Sequence, residues 1–467
     1  MTSRHFDDIV IGAGQAGGPL SSALARAGHR TVLIEREHVG GTCINEGCTP
    51  TKTMVASARV AYLARRGADY GVNIGPVSID MLRVRQRKRD IVESFRAGSE
   101  ERIVRTPGLD LLRAEARFIG PKTLQVGPDQ ELTADRIFIN VGARPSRPPI
   151  PGLDSVPTLD STSIMELDRV PEHLVVLGGG YVGLEFGQMF RRFGSQVSLV
   201  QRGPRLLGRE DADIADAVAD ILRQDGVTVL LQTDAVRVAP GKAGSIQLVV
   251  RSAAGEQTLD GSHLLVAVGR TPNTDRLNLA ATGLEVDSNG FLPANDRLET
   301  KVPGKYALGD VKGGPAFTHI SYDDYRIVKS NLLEHGSASI KDRPVPYSVY
   351  IDPQLGRIGL SEDEARASGR QVQIAKMPMT HVARALEVDE TRGFAKVIVD
   401  AATKEILGAA ILGLEGGELM SMLEIAMFGK LPYTLLRDAI FAHPTLAECF
   451  NNLFATLSES EPRPVSR

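Results

Sequence analysis

Cys43 and Cys48 are the residues whose types and spacing most directly suggest chemistry. Four residues separate them, and they follow a glycine-rich motif, so the pair could exchange electrons with a flavin as a dithiol and disulfide. Pro50 predicts a helix that begins just before it, which places Cys48 where free N–H groups and the helix dipole favour a thiolate. Lys52 would lie one turn along the same face. A structural disulfide or two buried thiols is the alternative, but the glycine-rich flank, Pro50 and Lys52 favour redox chemistry.

The glycine-rich motif has the pattern of a dinucleotide-binding turn. Residues 8–11 predict a buried strand, a helix of small residues follows to about Gly28, and residues 31–34 predict a strand that finishes at Glu35. In this arrangement the glycines permit a tight turn, the helix N-terminus binds a pyrophosphate, and the acid binds ribose hydroxyls. Pro19 predicts at most a local distortion early in the helix. The motif glycines are Gly12, Gly14 and Gly17.

The same pattern returns later in the chain. Residues 174–177 predict a strand, a second set of turn glycines and a helix follow, and residues 196–200 predict the next strand. The glycines of this second motif are Gly178, Gly180 and Gly183.

The second motif lacks the ribose-binding acid. Glu35 lies 18 residues after the last glycine of the first motif, whereas the residue 18 positions after the last glycine of the second is Gln201, followed closely by Arg202 and Arg205. A carboxylate would repel a 2′-phosphate, and guanidinium groups bind one through charged hydrogen bonds. The second site is therefore predicted to prefer NADP over NAD. Two surface arginines on a loop are the alternative interpretation.

Two dinucleotide sites in one chain imply that electrons pass between two cofactors. Glu35 fits the unphosphorylated ADP ribose of FAD, and the nearby dithiol fits a flavin partner. The second site would then hold NADPH, which donates hydride.

The composition indicates a globular protein of several domains. The chain has 467 residues, which suggests about three domains of ~150 residues. Its 42% hydrophobic and 24% charged residues are ordinary for such proteins. With a net charge of −3, no global field attracts nucleic acid or an anionic membrane. The basic segment 83–89 is interpreted as a solvated helix face.

Cysteine usage and the N-terminus bear on the compartment. Three cysteines are too few for a secreted disulfide framework, and an accessible redox pair fits a reducing environment. Residues 1–8 are polar, and no apolar run is long enough for a signal peptide or a bilayer span. We expect a cytoplasmic enzyme with a small-molecule substrate, no nucleic-acid or membrane partner, and no resident metal site.

Taken together, these motifs resemble those of the class I pyridine nucleotide-disulfide oxidoreductases, which include dihydrolipoamide dehydrogenase, glutathione reductase and mercuric reductase. The resemblance covers nearly the whole chain. Further segments resemble the strand and turn that close the first FAD segment (137–145), the exit from the NADP domain (265–273), the second FAD motif (306–310) and an acid–base motif (443–448).

The resemblance implies an α/β fold with two Rossmann-like dinucleotide-binding domains, for FAD and NADP, and a C-terminal α+β dimerisation domain. The implied divisions are 1–152 for the first FAD segment, 153–271 for the NAD(P) domain, 272–342 for the second FAD segment and 343–467 for dimerisation. We expect a homodimer and, in the last domain, a mixed sheet with flanking helices.

Position by position, the resemblance also implies roles. Cys48 would be the sulfur against the flavin ring, and Cys43 the interchange thiol that attacks the substrate. Lys52 would pair with Glu185 beside the flavin and nicotinamide, and Tyr181 would cover the flavin until the nicotinamide displaces it. Further cofactor-binding residues implied by the motifs are Gly41, Thr42, Lys52, Gly142, Gly269, Gly309 and Asp310.

The acid–base motif would act from the partner subunit. His443 would carry the proton to and from Cys43, and Glu448 would orient its ring. Thiol interchange needs one sulfur deprotonated and another protonated near neutral pH, which suits histidine. Cys449 is predicted to be a packing residue.

The resemblance is greatest to the mercuric reductase-like group, and it implies a disulfide or a metal ion as the electron acceptor. Two departures count against mercury reduction: no cysteine follows Cys449, and the extra N-terminal metal-binding domain of some such enzymes is missing. The alternatives are a reductase of a low-molecular-weight disulfide, such as glutathione or lipoamide, and a redox sensor that binds FAD and NADP without steady turnover.

Overall fold

The first sheet is built from apolar runs that are buried on both faces in its centre, as parallel strands require. The computed structural model describes residues 4–459; the end of the predicted dimerisation domain lies outside them. The strand order is β3-β2-β1-β6-β5-β4. Its strands are β1 (Arg4–Ile11), β2 (Thr31–Glu35), β3 (Leu109–Arg113), β4 (Ala116–Gly120), β5 (Thr123–Val126) and β6 (Gln130–Ile139).

Helices connect and cover this sheet: α1 (Gly17–Arg26), α2 (Gly41–Asn45), α3 (Cys48–Arg65) and α4 (Met81–Val104). Because β1 pairs in parallel with both β2 and β6, the chain must cross over the sheet through α1. Pro19 lies in the first turn of α1, where backbone N–H groups have no partner within the helix.

The second sheet repeats this construction. It has the parallel order β10-β9-β8-β14, formed by β8 (His173–Leu177), β9 (Gln196–Val200), β10 (Thr228–Leu230) and β14 (His263–Val266). Helices α5 (Tyr181–Phe193) and α6 (Ala212–Gln224) follow β8 and β9. An antiparallel sheet beside it contains β11 (Asp234–Pro240), β12 (Ile246–Ser252) and β13 (Gly255–Gly261).

The chain then returns to the first sheet. After β6 comes β7 (Ala143–Pro145). It pairs antiparallel with β15 (Arg270–Pro272), which follows the second sheet along the chain. Next, β16 (Lys305–Ala307) pairs in parallel with β6 and is followed by α7 (Thr318–Leu333). The second sheet is thus inserted between two segments that complete the first. The boundaries at 152, 271 and 342 stay predictions.

The C-terminal part is a sheet of order β17-β18-β21-β20-β19 with helices packed on it. The strands are β17 (Tyr347–Val349), β18 (Gln354–Gly359), β19 (Val372–Pro378), β20 (Phe394–Asp400) and β21 (Ile406–Gly413). The helices are α8 (Glu362–Ala367), α9 (Ala383–Glu387), α10 (Gly416–Phe428), α11 (Tyr433–Asp438) and α12 (Cys449–Glu459). The expectation of a mixed sheet was wrong, because each described pairing in this sheet is antiparallel.

The basic segment 83–89 lies on α4 and is largely exposed, as predicted, but it is not only a solvated face. Lys88 is buried and pairs with Glu166, which Arg89 also contacts. Arg85 donates to the backbone carbonyl of Glu166 at 2.7 Å. These cations on α4 hold the connection that leads into the second sheet. Sequence spacing did not reveal this, because the carboxylate lies far along the chain.

Among the helices between residues 4 and 459, none combines the length and hydrophobicity that a bilayer crossing needs.

Candidate active site

A cavity of about 950 Å³ brings together many of the predicted site residues. Elements of all three parts of the fold line it, from the first glycine turn to β17 and α10. The predicted residues on its walls are Gly12, Gly14, Glu35, Gly41, Thr42, Cys43, Cys48, Lys52, Gly142, Tyr181, Glu185 and Asp310.

The two cavity thiols differ in their protonation. Cys43 lies in α2, and Cys48 is the first residue of α3, as Pro50 predicts. A hydrogen bond from Cys43 is the largest influence on Cys48; it lowers the pKa of Cys48 to about 6 although burial opposes this. Thr318, whose Oγ1 is 3.3 Å from Cys48 Sγ, and Lys52 lower this pKa further.

The proton of the pair stays on Cys43. The hydrogen bond to Cys48 and burial both raise the pKa of Cys43 far above its ordinary value. Near neutral pH the pair therefore carries one negative charge, on Cys48, and one proton, on Cys43.

Lys52 forms an ion pair with Glu185 beside the thiols. Lys52 Nζ lies 2.7 Å from Glu185 Oε2, and the other carboxylate oxygen accepts the backbone N–H of Tyr350 at 2.9 Å. Burial by itself lowers the pKa of Lys52, but the Glu185 carboxylate outweighs it and raises that pKa overall. Lys52 therefore remains a cation near Cys48, and it also lies 4.9 Å from the centre of the Tyr350 ring.

The first glycine turn is closed by close backbone approaches. A Cβ on Gly17 would lie 2.0 Å from the carbonyl oxygen of Gly12. Asn140, at the end of β6, accepts the Gly17 N–H at 2.9 Å and donates to the Leu308 carbonyl at 2.9 Å. Glu35 accepts the N–H of Ala13 at 2.8 Å. The turn is thus fixed with its helix N-terminus directed at the cavity.

The second glycine turn copies this geometry with an amide in place of the acid. Gln201 Oε1 accepts the N–H of Gly179 at 3.0 Å, as Glu35 does in the first turn. A Cβ on Gly183 would lie 2.1 Å from the carbonyl oxygen of Gly178. The substitution therefore keeps the hydrogen bond to the turn and removes its negative charge.

The two arginines after Gln201 differ in their contacts. Arg205 Nε lies 3.2 Å from Asp216 Oδ1. Arg202 is exposed, and no ion pair or hydrogen bond to it occurs within the part of the chain that the structure describes. Neither these arginines nor Gln201 lines the main cavity.

The motifs around Asp310, Gly142 and Gly269 meet where the two sheets join. Both glycines have positive φ, at +65° and +120°, and they flank the paired strands β7 and β15. Arg270 Nε lies 3.8 Å from Asp310 Oδ2. Burial raises the pKa of Asp310, and Arg270 opposes this. Asp310 follows Gly309 in a short 3-10 turn.

These features fit the FAD that the sequence predicts. A glycine turn at a helix N-terminus and the acid Glu35 line one region of the cavity, as a dinucleotide requires. Gly41 packs closely against Gly14: a Cβ added to Gly41 would lie 2.8 Å from the Gly14 Cα. Arg270 Nε is buried and makes no hydrogen bond within residues 4–459.

His443 and Glu448 form a pair away from this cavity. His443 Nδ1 lies 2.9 Å from Glu448 Oε2, which fixes the ring. The His443 side chain is 67% exposed. Neither His443 nor Glu448 is among the described residues that line the cavity. Within one chain the structure therefore does not bring His443 to Cys43. Cys449 is buried, as a packing residue would be.

Three contributors to the site were missed as site residues. Thr318 contacts Cys48, Asn140 ties the glycine turn to the second FAD motif, and Tyr350 contacts Lys52. Asn140 lies in the segment 137–145, which resembles the close of the first FAD segment, so a motif signal existed for it. Thr318 and Tyr350 stand in no recognised motif, and only the fold places them here.

Comparisons with known proteins agree on one family. The family model "Pyridine nucleotide-disulphide oxidoreductase" matches residues 6–324, and its "dimerisation domain" model matches residues 345–454. The chain is 39% identical over 459 residues to "Probable pyridine nucleotide-disulfide oxidoreductase RclA" of Escherichia coli, covering 97% of this chain and 99% of that protein.

Two further relatives support the same assignment. Mercuric reductase of Staphylococcus aureus is 34% identical, with 95% of this chain and 81% of that protein covered. The solved structure titled "Cu(II) complex of HOCl-induced flavoprotein disulfide reductase RclA from Escherichia coli" superimposes with a TM-score of 0.88 and 38% identity, covering 98% of this chain and 100% of that one. The predicted fold class is confirmed.

Proposed function

The chain belongs to the pyridine nucleotide-disulphide oxidoreductase family, and from this premise we propose that it delivers electrons from NADPH through FAD and the Cys43–Cys48 dithiol to a disulfide or a metal ion. As a member it is an FAD-dependent flavoprotein disulfide reductase of the RclA and mercuric reductase type, with a dimerisation domain. When bound, FAD and the pyridine nucleotide supply the two-electron transfer that reduces the cysteine pair.

The unequal protonation of the two cavity thiols is the observation that carries the proposal. Cys48 is a thiolate at the start of α3 beside Lys52, and Cys43 holds the proton. Cys43 loses this proton to a base, attacks a substrate disulfide and releases one thiol. The base returns the Cys43 proton to the first leaving sulfur; Cys48 then attacks Cys43 and releases the second sulfur as a thiolate, which takes its proton from solvent. The chain ends with a Cys43–Cys48 disulfide, and the substrate has gained two electrons and two protons.

A metal ion is the second class of acceptor. Mercuric reductase and the Cu(II) complex of RclA are named among the relatives, and thiolates are the ligands that soft metal ions prefer. A metal ion would here be substrate, bound by the dithiol and reduced with its electrons.

The reaction class can be tested by the consumption of NADPH with a panel of acceptors: glutathione disulfide, lipoamide, Hg²⁺ and Cu²⁺. We expect sustained turnover with at least one acceptor and its loss in Cys43→Ser and in Cys48→Ser. Cys449→Ala is the matched control, because this third cysteine is buried in α12 outside the cavity. Full turnover by both cavity variants would contradict the proposal, and a single reduction without turnover would favour the sensor.

NADPH is proposed as the donor because Gln201 removes a negative charge and because the Arg202 guanidinium, just after β9, has no ion pair or hydrogen bond within residues 4–459. The double change Gln201→Glu and Arg202→Ala should shift the ratio of kcat/KM values toward NADH by roughly tenfold or more. Arg223→Ala, on the helix α6 that follows β9, is the control and should leave the ratio of kcat/KM values unchanged. An unaltered ratio in the double variant would refute this assignment.

The proton acceptor for Cys43 is proposed to be His443 of a second copy. The structure keeps His443 exposed and oriented by Glu448, outside the cavity of its own chain. A dimer would complete the site, and the imidazole–carboxylate pair suits proton transfer near neutral pH.

A further inference from the structure

A series of aromatic contacts runs from Tyr181 through Phe317 to Tyr347. The ring centres of Tyr181 and Phe317 are 6.0 Å apart, with 37° between the planes. Phe317 in turn stacks on Tyr347 at 5.3 Å and 9°. His319 stacks on the same Phe317 ring at 5.4 Å. Phe317 therefore sits at the centre of contacts from three parts of the fold, and it directly precedes Thr318, the neighbour of Cys48.

The stack ends on a buried carboxylate. The Tyr347 hydroxyl donates to Glu210 Oε1. The second oxygen of Glu210 is buried and has no hydrogen-bond partner within the described part of the chain. The Tyr347 hydroxyl is therefore the one hydrogen-bond partner of the Glu210 carboxylate within residues 4–459, and losing it would leave both oxygens of a buried group unpaired.

Glu210 belongs to the segment that carries the proposed nucleotide-phosphate contacts. This segment runs from Gln201 to Asp211, between β9 and α6. Its middle is held at the glycine turn, where Leu207 donates to the Gly179 carbonyl at 2.9 Å. Its end is held by the C-terminal sheet through Tyr347–Glu210 and through Arg357–Asp211 at 3.3 Å.

We propose that Phe317 and Tyr347 are positioning residues: Phe317 fixes the ring of Tyr181 over the cavity, and Tyr347 joins that stack to the segment that receives the phosphate end of the nucleotide. This inference deepens the proposed function and rests on it. The two ends of the nucleotide site would then be set by one continuous packing arrangement.

The role of Phe317 predicts a change in rate that only an aromatic residue restores. Phe317→Leu should lower the limiting rate of flavin reduction in anaerobic stopped-flow experiments with NADPH by about two- to tenfold, the range that an aromatic pair is worth. Phe317→Tyr should restore it to within about twofold of wild type. Phe95→Leu, on an exposed part of α4, is the matched control for the substitution.

The role of Tyr347 predicts a different effect. Tyr347→Phe keeps the stacked ring and removes the bond to Glu210, so the Kd for NADPH in the same experiment should rise about three- to tenfold while the limiting rate stays within about twofold, since one hydrogen bond is lost. Tyr322→Phe, an exposed tyrosine of α7, is the control.

The outcomes separate this inference from the proposed function. If wild type is not reduced by NADPH, the proposed function fails. If wild type is reduced but Phe317→Leu matches it, or Phe317→Tyr is no better than Phe317→Leu, the role of Phe317 is overturned. An unchanged Kd in Tyr347→Phe overturns the link to the segment. Should Phe317→Leu lose its FAD, the limiting rate of Phe317→Tyr decides the role of Phe317, and the Kd of Tyr347→Phe decides the role of Tyr347.

Discussion

At the scale of single residues, the site depends on an asymmetry between two thiols of the same chemical type. Cys48 gains a hydrogen bond from Cys43, a contact from Thr318 and the charge of Lys52, whereas the hydrogen bond to Cys48 and burial make Cys43 lose its proton less readily. One sulfur is therefore ready to carry charge and the other to carry a proton, before any substrate arrives.

This asymmetry predicts a pH dependence. Because the pKa of Cys48 is lowered to about 6, its thiolate is present above about pH 6 and is lost as the pH falls through that value. The long-wavelength absorbance of a thiolate beside flavin, recorded in NADPH-reduced protein, should follow the same midpoint. A midpoint near the ordinary thiol value would contradict this distribution of charge.

Removing Lys52 predicts the opposite shift. Lys52→Met deletes a positive charge that lowers the pKa of Cys48, so the midpoint of the same absorbance titration should rise by about one pH unit or more. Lys376→Met is a suitable control, because this lysine pairs with Asp213 outside the cavity. Equal midpoints in wild type and Lys52→Met would exclude the lysine from this role.

The sequence predicts these residues only in part. Pro50 and the spacing of Lys52 place Cys48 at a helix start next to a cation, since both signals are local. Thr318 lies 270 positions from Cys48. No local pattern links residues so far apart, and only the fold brings the first residues of α3 and α7 together.

At the scale of elements, two glycine turns of the same shape carry different chemistry. In each, the first and last motif glycines approach so closely that no side chain fits, and a side-chain oxygen from the next strand accepts an N–H of the turn. Glu35 does this with a charge and Gln201 without one. The sequence pattern predicts both turns because the glycine spacing states the steric requirement directly.

The first turn predicts a contrast between neighbouring glycines. Gly17→Ala would place Cβ 2.0 Å from a carbonyl oxygen, whereas Gly18→Ala would meet Ile103 Cδ1 at an ordinary 3.7 Å. Overpacking of this kind costs about 1–3 kcal/mol. The Kd for FAD should therefore be about tenfold or more higher in Gly17→Ala than in wild type. Bound flavin in the purified proteins measures this; retention equal to that of Gly18→Ala would contradict it.

The second turn predicts the same contrast for the other cofactor. Gly183→Ala places Cβ 2.1 Å from the Gly178 carbonyl oxygen, and Gly187→Ala meets Val197 Cγ1 at 3.7 Å. We expect Gly183→Ala to keep its FAD and to raise the KM for NADPH by about tenfold or more, with Gly187→Ala near wild type. Loss of flavin from Gly183→Ala, with normal NADPH kinetics, would reverse the assignment of the two sites.

Elements were harder to predict where pairing partners lie far apart. The sequence motifs mark the segments after β6 and after β14 separately. They do not predict that the strands in these segments, β7 and β15, pair with each other. The C-terminal sheet was expected to be mixed and is antiparallel, because alternating residues reveal strands without revealing their direction.

At the scale of the whole molecule, the chain by itself has a cavity with a dithiol and, elsewhere, an exposed histidine held by a carboxylate. The two are joined only if a second copy supplies the histidine. This requirement comes from the resemblance, and the position of His443 outside its own cavity is what makes a test within dimers possible.

Heterodimers provide that test. A dimer that combines one Cys43→Ser subunit with one His443→Gln subunit should recover about half of the wild-type turnover if the site is shared, because one of its two sites then contains both native groups. Each variant homodimer is the control and should be nearly inactive. An inactive heterodimer would place the histidine in the same subunit as its thiol.

Anaerobic reduction with NADPH tests the central claim, that Cys48 is the thiolate beside the flavin and Cys43 the thiol that meets the acceptor. Wild type should develop long-wavelength absorbance on reduction, Cys43→Ser should show it already before NADPH is added and turn over no disulfide, and Cys48→Ser should lack it. Absorbance that survives in Cys48→Ser and disappears in Cys43→Ser would contradict the claim.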